Sequence, residues 1–173
     1  MALDATVGGP SANSYVTRAA ADSYFADRHG ASDWTSATDT ALKDQCLMSA
    51  TWRLDQEQAK GQRSSTTQRL AWPRTYVEDP DVPLGATATY LDGATIPRRL
   101  QEATYELALV LFRTSGDYFK SKPLADFSQL SVAGVFLQPS PNATPSGALP
   151  DTVARLLAGL VRLDSGVVRL VRG

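Results

Sequence analysis

The stretch "IPRRLQEATYELALVLFRTSG", residues 96–116, decides the fold because it predicts a helix around which the rest must pack. Pro97 fits a first helical turn, and Gly116 is the expected end. Two apolar stripes recur at helical spacing, one formed by Leu100, Ala103, Leu107 and Leu111 and the other by Tyr105, Leu109 and Phe112. A helix that is apolar over most of its circumference belongs at the centre of a helical bundle or a packed assembly.

The narrow polar side of this helix carries Arg99, Glu102, Glu106 and Arg113. Glu102 and Glu106 lie one turn apart, so two carboxylates could serve acid–base chemistry or hold a hard cation. The neighbouring arginines favour a solvated stripe of ion pairs instead. We therefore expect this face to be structural.

The remaining segments predict a mainly α protein, a small bundle of about four helices. Helices are expected from Thr17 to about Arg28, from about Thr38 to Gln58, and from about Asp151 to Leu163, with Gly30 and Gly61 ending the first two. The predicted organisation is a flexible lead-in (1–14), a bundle core (15–116) with a loop region (60–95), a β-like and proline-rich extended segment (117–149), and a short helix with an extended C-terminal arm (150–173).

The second predicted helix carries apolar residues on two opposite sides. One stripe consists of Leu42, Cys46, Leu47, Ala50 and Leu54, and the other of Ala41, Met48 and Trp52. A lone small domain rarely covers both sides of such a helix. Either the helix is central, or a neighbouring subunit covers one stripe, which makes Met48 and Trp52 candidate inter-subunit residues.

A basic segment is followed directly by an acidic one. Lys60, Arg63, Arg69 and Arg74 come without an intervening acid, and Glu78, Asp79 and Asp81 follow. Opposite charges on one chain suit head-to-tail contacts between copies, so Arg63, Arg69, Arg74, Glu78, Asp79 and Asp81 are candidate inter-subunit residues. The alternative is single-stranded DNA, with arginines on phosphates and Trp72 stacked on a base.

Two features weigh against the DNA alternative. The net charge of the chain is −1, and the adjacent acids would repel a strand. We interpret Trp72 and Pro73 as a structural elbow whose indole is packed, because proline pushes the preceding residue towards extended geometry.

Motifs for catalysis, cofactors or metals are missing from the sequence. It has one histidine, His29, and one cysteine, Cys46, and neither a nucleophile elbow nor a phosphate-binding glycine loop. We expect no enzyme activity, no cofactor and no metal. The first thirty residues do not resemble a signal peptide, and no apolar run reaches membrane-spanning length, so we expect synthesis in a cytoplasm and no membrane partner.

The order of several segments resembles a known family. "ANSYVTRAAADSYFADRHGASDW", "ALKDQCLMSATWRLDQEQAKGQR", "LAWPRT", "IPRRLQEATYELAL" and the terminal "GVVRLVRG" follow one another as in head–tail connector (adaptor) proteins of tailed bacteriophages. Members of that family are often labelled DnaT-like single-stranded-DNA-binding proteins. The similarity covers residues 12–74 and 96–115 and the last eight residues.

The resemblance implies a non-enzymatic virion protein made in the host cytoplasm. Its copies would form a ring at the neck, commonly a dodecamer, beneath the portal protein. The ring would join the head to a stopper, tail-terminator or tail-tube protein and line the channel through which double-stranded DNA passes during packaging and ejection. The alternative function is that of a single-stranded-DNA-binding accessory protein.

The terminal segment is the expected docking element of such a ring. Alternating apolar and cationic residues suit addition to another subunit's sheet edge or groove. By similarity we assign contact with portal or tail to Val167, Val168, Arg169, Leu170, Val171 and Arg172.

Overall fold

The computed structural model describes residues 2–83, 85–115, 118, 127–131, 136–139 and 149–162, with the backbone alone at 127–131 and 136–139. Its helices are α1 Arg18–Ala26, α2 Ser32–Thr35, α3 Thr40–Asp55, α4 Arg98–Thr114 and α5 Asp151–Leu157. Its strands are β1 Gln58–Ala59, β2 Gln62–Arg63, β3 Arg74–Thr75, β4 Phe127–Ser131, β5 Phe136–Pro139 and β6 Val161–Arg162.

The strands form antiparallel pairs, β1 with β6, β2 with β3 and β4 with β5. The prediction of a mainly α fold with small β elements, one of them after the central helix, is confirmed. Within the part of the chain that the structure describes, no helix combines the length and the apolar character needed to cross a bilayer.

Helix α4 lies at the centre of the fold, where it contacts α2, α3 and α5. Its buried apolar residues come from both predicted stripes and include Leu100, Leu107, Tyr105 and Leu109. The central position predicted from the sequence is therefore correct. The same contacts cover α4 within a single molecule, so this helix does not need a neighbouring copy to bury its apolar surface.

The solvated polar face predicted for α4 is wrong at Glu106, which is only 8% exposed. The Tyr24 hydroxyl donates to Glu106 Oε1 (2.7 Å) and Arg28 donates to Oε2 (2.8 Å). These partners come from α1 and the turn after it, so the fold supplies the donors that a buried carboxylate requires. Glu102 does form an ion pair, but with Arg98 at i,i+4. The predicted partners Arg99 and Arg113 pair instead with Asp81 and Asp33.

Helix α3 begins at an N-cap, where the Asp39 side chain accepts a hydrogen bond from the backbone N–H of Leu42 (2.9 Å). The first predicted stripe is buried from Cys46 to Leu54, but Leu42 is 38% exposed. The burial predicted for Leu42 is therefore wrong, and this residue lies exposed in the first turn of the helix.

The short helix α2 was not predicted, and it carries a fully buried tryptophan. The Trp34 indole N–H donates to Asp22 (2.8 Å), and Lys43 Nζ lies 3.1 Å from the same carboxylate and 5.5 Å from the Trp34 ring centroid. Lys43 is itself buried, so α3 presents a charged residue to the interior where the sequence pattern suggests a surface position.

The helix ends differ from the predictions because the chain reverses earlier. Helix α1 ends at Ala26, α3 at Asp55 and α5 at Leu157. Residues 58–59 and 161–162 leave α3 and α5 to form the β1–β6 pair, which a helix over the same residues would prevent. Helix α4 ends at Thr114 and is capped by Ser115 in the left-handed conformation (φ 48°), and the predicted end, Gly116, lies outside the described residues.

The N-terminal segment, for which the sequence predicts a flexible lead-in, makes defined contacts. The Asn13 side chain donates to Ala2 O and accepts from Asp4 N, each at 2.8 Å. The Gly9 carbonyl accepts a hydrogen bond from the backbone N–H of Arg69 (3.2 Å). Residues 2–14 are thereby held against the loop that precedes Trp72.

Candidate functional site

The loop between β2 and β3 is organised around buried Trp72 and Pro73. Trp72 is 3% exposed, and the Trp72–Pro73 peptide bond is cis. Buried Gln68 spans the loop, accepting from Ser65 N and donating to the Leu70 and Pro73 carbonyls. The indole is packed inside the chain and is unavailable to stack on a nucleic-acid base.

Arg74, a predicted inter-subunit residue, is engaged within its own chain. Its guanidinium donates to the carbonyl oxygens of Lys60 (2.5 Å), Gly61 (2.7 Å) and Ala71 (3.1 Å). Turns leave carbonyls without helical or strand partners, and a guanidinium can satisfy several of them at once. Burial lowers the pKa of Arg74, with nearby Arg63 adding to the effect. Arg74 therefore links the turn at Lys60 and Gly61 to Ala71, and its guanidinium is engaged within the chain.

Asp55, at the end of α3, joins three segments of the chain. Its Oδ1 accepts from Ala71 N (2.7 Å) and from the Tyr15 hydroxyl. Burial raises the pKa of Tyr15, and the Asp55 carboxylate raises it further. These bonds fix the loop before Trp72 beside the last turns of α3.

A groove of about 530 Å³ opens where this loop meets α3. Its lining residues are Asn13, Met48, Ser49, Trp52, Asp55, Gln56, Arg69 and Leu70. Trp52 is 60% exposed, and Met48 is half-buried beside it. We call this surface the Trp52 groove. The second stripe of α3 is therefore on the molecular surface, whereas the first stripe, apart from Leu42, is in the core.

The basic residues near the groove differ in how they are paired. Arg63 and Arg69 are exposed, and neither forms an ion pair with any other residue that the structure describes. Their assignment to a subunit contact remains a prediction. Because Arg74 is bound to carbonyl oxygens of its own chain, the cationic surface is smaller than the sequence suggests.

The predicted acidic cluster is also partly engaged within the chain. Asp79 Oδ1 accepts from Asp81 N (2.9 Å), and Asp81 pairs with Arg99. The hydrogen bond from Arg99 lowers the pKa of Asp81. Glu78 is exposed and has no ion pair with the residues that the structure describes.

Two exposed tyrosines flank this cluster and were not singled out from the sequence. Glu78 and Tyr90 are antiparallel bridge partners, and their side chains therefore share a face. Tyr76 and Tyr90 are 69% and 62% exposed, with ring centroids 6.3 Å apart in an edge-to-face arrangement. We call Tyr76, Glu78 and Tyr90 the tyrosine ridge. Aromatic residues at either end of a Pro- and Gly-rich loop were the available sequence signal.

The predicted docking residues Val167–Arg172 and the proline-rich connection before α5 lie outside the described residues. No three histidine, cysteine, aspartate or glutamate side chains converge as a metal site among the residues that are described.

Comparison with known proteins gives one match. No curated protein and no solved structure is significantly similar to the chain. One family model, described as "Putative DnaT-like ssDNA binding protein", matches residues 1–173. The description names single-stranded-DNA binding and no connector role, which favours the alternative function predicted from the sequence. Because the match spans the whole length, the chain belongs to this DnaT-like family.

Proposed function

We propose that the protein is a non-enzymatic adaptor that assembles as a ring in the neck of a tailed phage. In this role the ring lies between the portal and a stopper, tail-terminator or tail-tube protein, and double-stranded DNA passes through it without sequence recognition. The proposal rests on the order of sequence motifs and on one structural observation, the 60% exposure of Trp52 on α3.

The exposed indole supports a protein contact because of its size. A tryptophan side chain buries up to roughly 250 Å², so covering the 60% of Trp52 that is exposed contributes about 2–4 kcal/mol per contact. That is too little for a stable dimer after the entropic cost of association. In a closed ring every copy makes two such contacts, which favours assembly on a template such as the portal.

The charges support passage of DNA rather than tight binding. The chain has a net charge of −1, and the Arg74 guanidinium is bound to three backbone carbonyls. A strong non-specific binder instead presents several free cations to successive phosphates. A channel that releases a genome benefits from weak contacts.

The proposal is tested by deleting the gene from the phage that encodes it. We expect DNA-filled heads without tails in electron micrographs, and tail attachment restored by supplying the wild-type protein. The protein should also be found by mass spectrometry in purified virions. Complete, infectious virions formed without it would refute the adaptor role.

Single-stranded-DNA binding is the second candidate, favoured by the family description and by the combination of Trp52 and Arg69 in one groove. It predicts nanomolar binding of a labelled oligothymidine, a steep loss of affinity with salt, and dependence on Trp52. Fluorescence anisotropy at two salt concentrations measures this. Binding no tighter than about 1 μM at physiological salt, the usual non-specific range, would count against it.

A further inference from the structure

We propose, resting on the adaptor function above, that the Trp52 groove of one copy receives the tyrosine ridge of the next copy. The two surfaces share no residue, since one is formed by α3 and the loop before Trp72 and the other by Tyr76, Glu78 and Tyr90. A contact between two different surfaces is head-to-tail, which is the kind that generates rings when the rotation closes.

The groove offers an apolar floor with polar groups at its edges. Met48, Trp52 and Leu70 supply the apolar surface, and Asn13 and Gln56 supply amides. Large aromatic anchors seated in such pockets supply much of the binding energy at protein interfaces. Tyrosine fits this groove well because its ring covers apolar surface while its hydroxyl reaches an amide at the edge.

The ridge presents its aromatic rings at a conformational cost that a single copy does not explain. Tyr76 adopts a left-handed conformation (φ 59°), which is unfavourable for a residue with a Cβ. Tyr76 is nevertheless 69% exposed, so its own side chain gains little burial inside the chain. Strained residues of this kind cluster at functional contacts, and a neighbouring copy would supply the missing burial.

Charge complementarity fixes the partner as a second copy. Arg69 lines the groove and Glu78 lies on the ridge, and neither has an ion pair with any residue that the structure describes. Asp55 also lines the groove and would repel Glu78. In the docked pair Arg69 must therefore be the groove residue that meets Glu78. Complementary charges of this type set the register of an interface.

The first experiment cross-links the two surfaces on the assembled protein. Met48→Cys and Tyr90→Cys variants are mixed with the portal and treated with a short bis-maleimide. Native Cys46 does not compete, because it is buried and burial raises its pKa to about 11. We expect dimers only in the mixture, and none when Ser36→Cys, at the residue that follows α2, replaces Met48→Cys. Cross-linking of Met48→Cys with itself would indicate a two-fold contact and overturn the proposal.

The second experiment exchanges the charges. Arg69→Glu and Glu78→Arg should each raise the protein concentration needed for ring assembly at least tenfold, and the double variant should recover most of that loss. A double variant no better than either single one overturns the proposed contact. If rings still form on the portal without the cross-link or the charge coupling, the adaptor function stands and this interface is wrong. If the wild-type chain never associates with the portal, the adaptor function itself fails.

Discussion

Replacement by alanine is predicted to affect stability at one tryptophan of this chain, Trp72, and ring assembly at another, Trp52. Trp72 is 3% exposed and lines a small cavity together with Val7 of the N-terminal segment and Ile96, whereas Trp52 is 60% exposed in its groove. Replacing Trp72 with alanine should lower the free energy of unfolding by about 3–5 kcal/mol, the usual loss for a large buried aromatic residue. Replacing Trp52 with alanine should lower it by only roughly 1–2 kcal/mol, because the smaller part of this side chain is buried within the chain.

The magnitude makes the comparison easy to measure. A domain of this size unfolds with roughly 5–15 kcal/mol, so the Trp72→Ala variant loses a large part of its stability. At about 2–4 °C per kcal/mol, the melting temperature of Trp72→Ala should fall by roughly 10 °C, and that of Trp52→Ala by clearly less. Urea unfolding followed by circular dichroism gives both free energies, with unchanged slopes as the control for two-state behaviour.

Assembly provides the second readout. Trp52→Ala should fold normally and fail to form rings on the portal, while Trp72→Ala, at a temperature where it remains folded, should retain the groove chemistry. If Trp72→Ala lost less than about 1 kcal/mol, the interpretation of Trp72 and Pro73 as a packed elbow would be refuted. If Trp52→Ala assembled like the wild type, the groove would not be the contact.

Three further predictions test the fold, the first with a matched control substitution. Gly61→Ala should lower the free energy of unfolding by more than roughly 2 kcal/mol, because Gly61 has φ 68° and a Cβ there would lie 2.3 Å from a backbone oxygen. Gly30→Ala is the control: its φ is 80° but the space around it is open, so the loss should be smaller. Thermal melting of both variants measures the difference. Burial and Asp55 raise the pKa of the Tyr15 phenol in the folded chain, so above about pH 10 the unfolded chain releases a proton that the folded chain keeps. The wild type should therefore lose stability as the pH rises, and Tyr15→Phe should lose less. Unfolding measured at several alkaline pH values tests this. Glu106→Gln should lower the free energy of urea unfolding by about 1–3 kcal/mol, since a charged hydrogen-bond acceptor for a guanidinium and a phenol is lost.

The helical framework could be predicted from the sequence because it follows local periodicity. The stripes of α4 recur over more than three turns. Thr17 caps α1 as its position suggests, with its side chain accepting from Ala20 N (3.2 Å). Both signals depend on residues within a few positions of one another. The ends of α3 and α5 were harder, because the β1–β6 pair that ends them joins segments about a hundred residues apart.

The polar interior could not be predicted for the same reason. Glu106 is buried because Tyr24 and Arg28, about eighty residues earlier, supply its hydrogen bonds. Lys43 is buried because Asp22 and the Trp34 ring lie beside it. In each case a charged residue on a helix has the same local sequence context whether it faces solvent or a distant partner. Only the tertiary fold distinguishes the two.

Part of the candidate surface, its apolar residues on α3, could be identified from the sequence. Met48 and Trp52 were assigned to a subunit contact because a second apolar stripe on α3 had no obvious cover, and they lie on the surface as that argument requires. Counting arginines overstated the cationic surface, because a side chain such as Arg74 that bonds to turn carbonyls is indistinguishable in sequence from one that meets solvent. The contact itself remains a prediction.

The two candidate functions make different demands on the same groove, and the tyrosine ridge separates them. A base stacked on Trp52 and a tyrosine docked there would occupy the same space, so assembly and oligonucleotide binding should compete. Trp52→Ala removes the surface for both and cannot discriminate between them. Replacing Tyr76 and Tyr90 together with serine leaves the groove intact, so ring assembly on the portal should be lost while any binding of oligothymidine persists.

Tryptophan fluorescence follows this competition directly. Trp34 and Trp72 are buried, so acrylamide should quench Trp52 selectively in the unassembled protein. We expect the portal-assembled wild type to lose that quenching and the Tyr76/Tyr90 double variant to keep it, with Trp52→Phe as the control that the signal comes from Trp52. Protection by oligothymidine alone, equal in the wild type and the double variant and with no protection on assembly, would show that the groove binds DNA and that the ridge has another purpose.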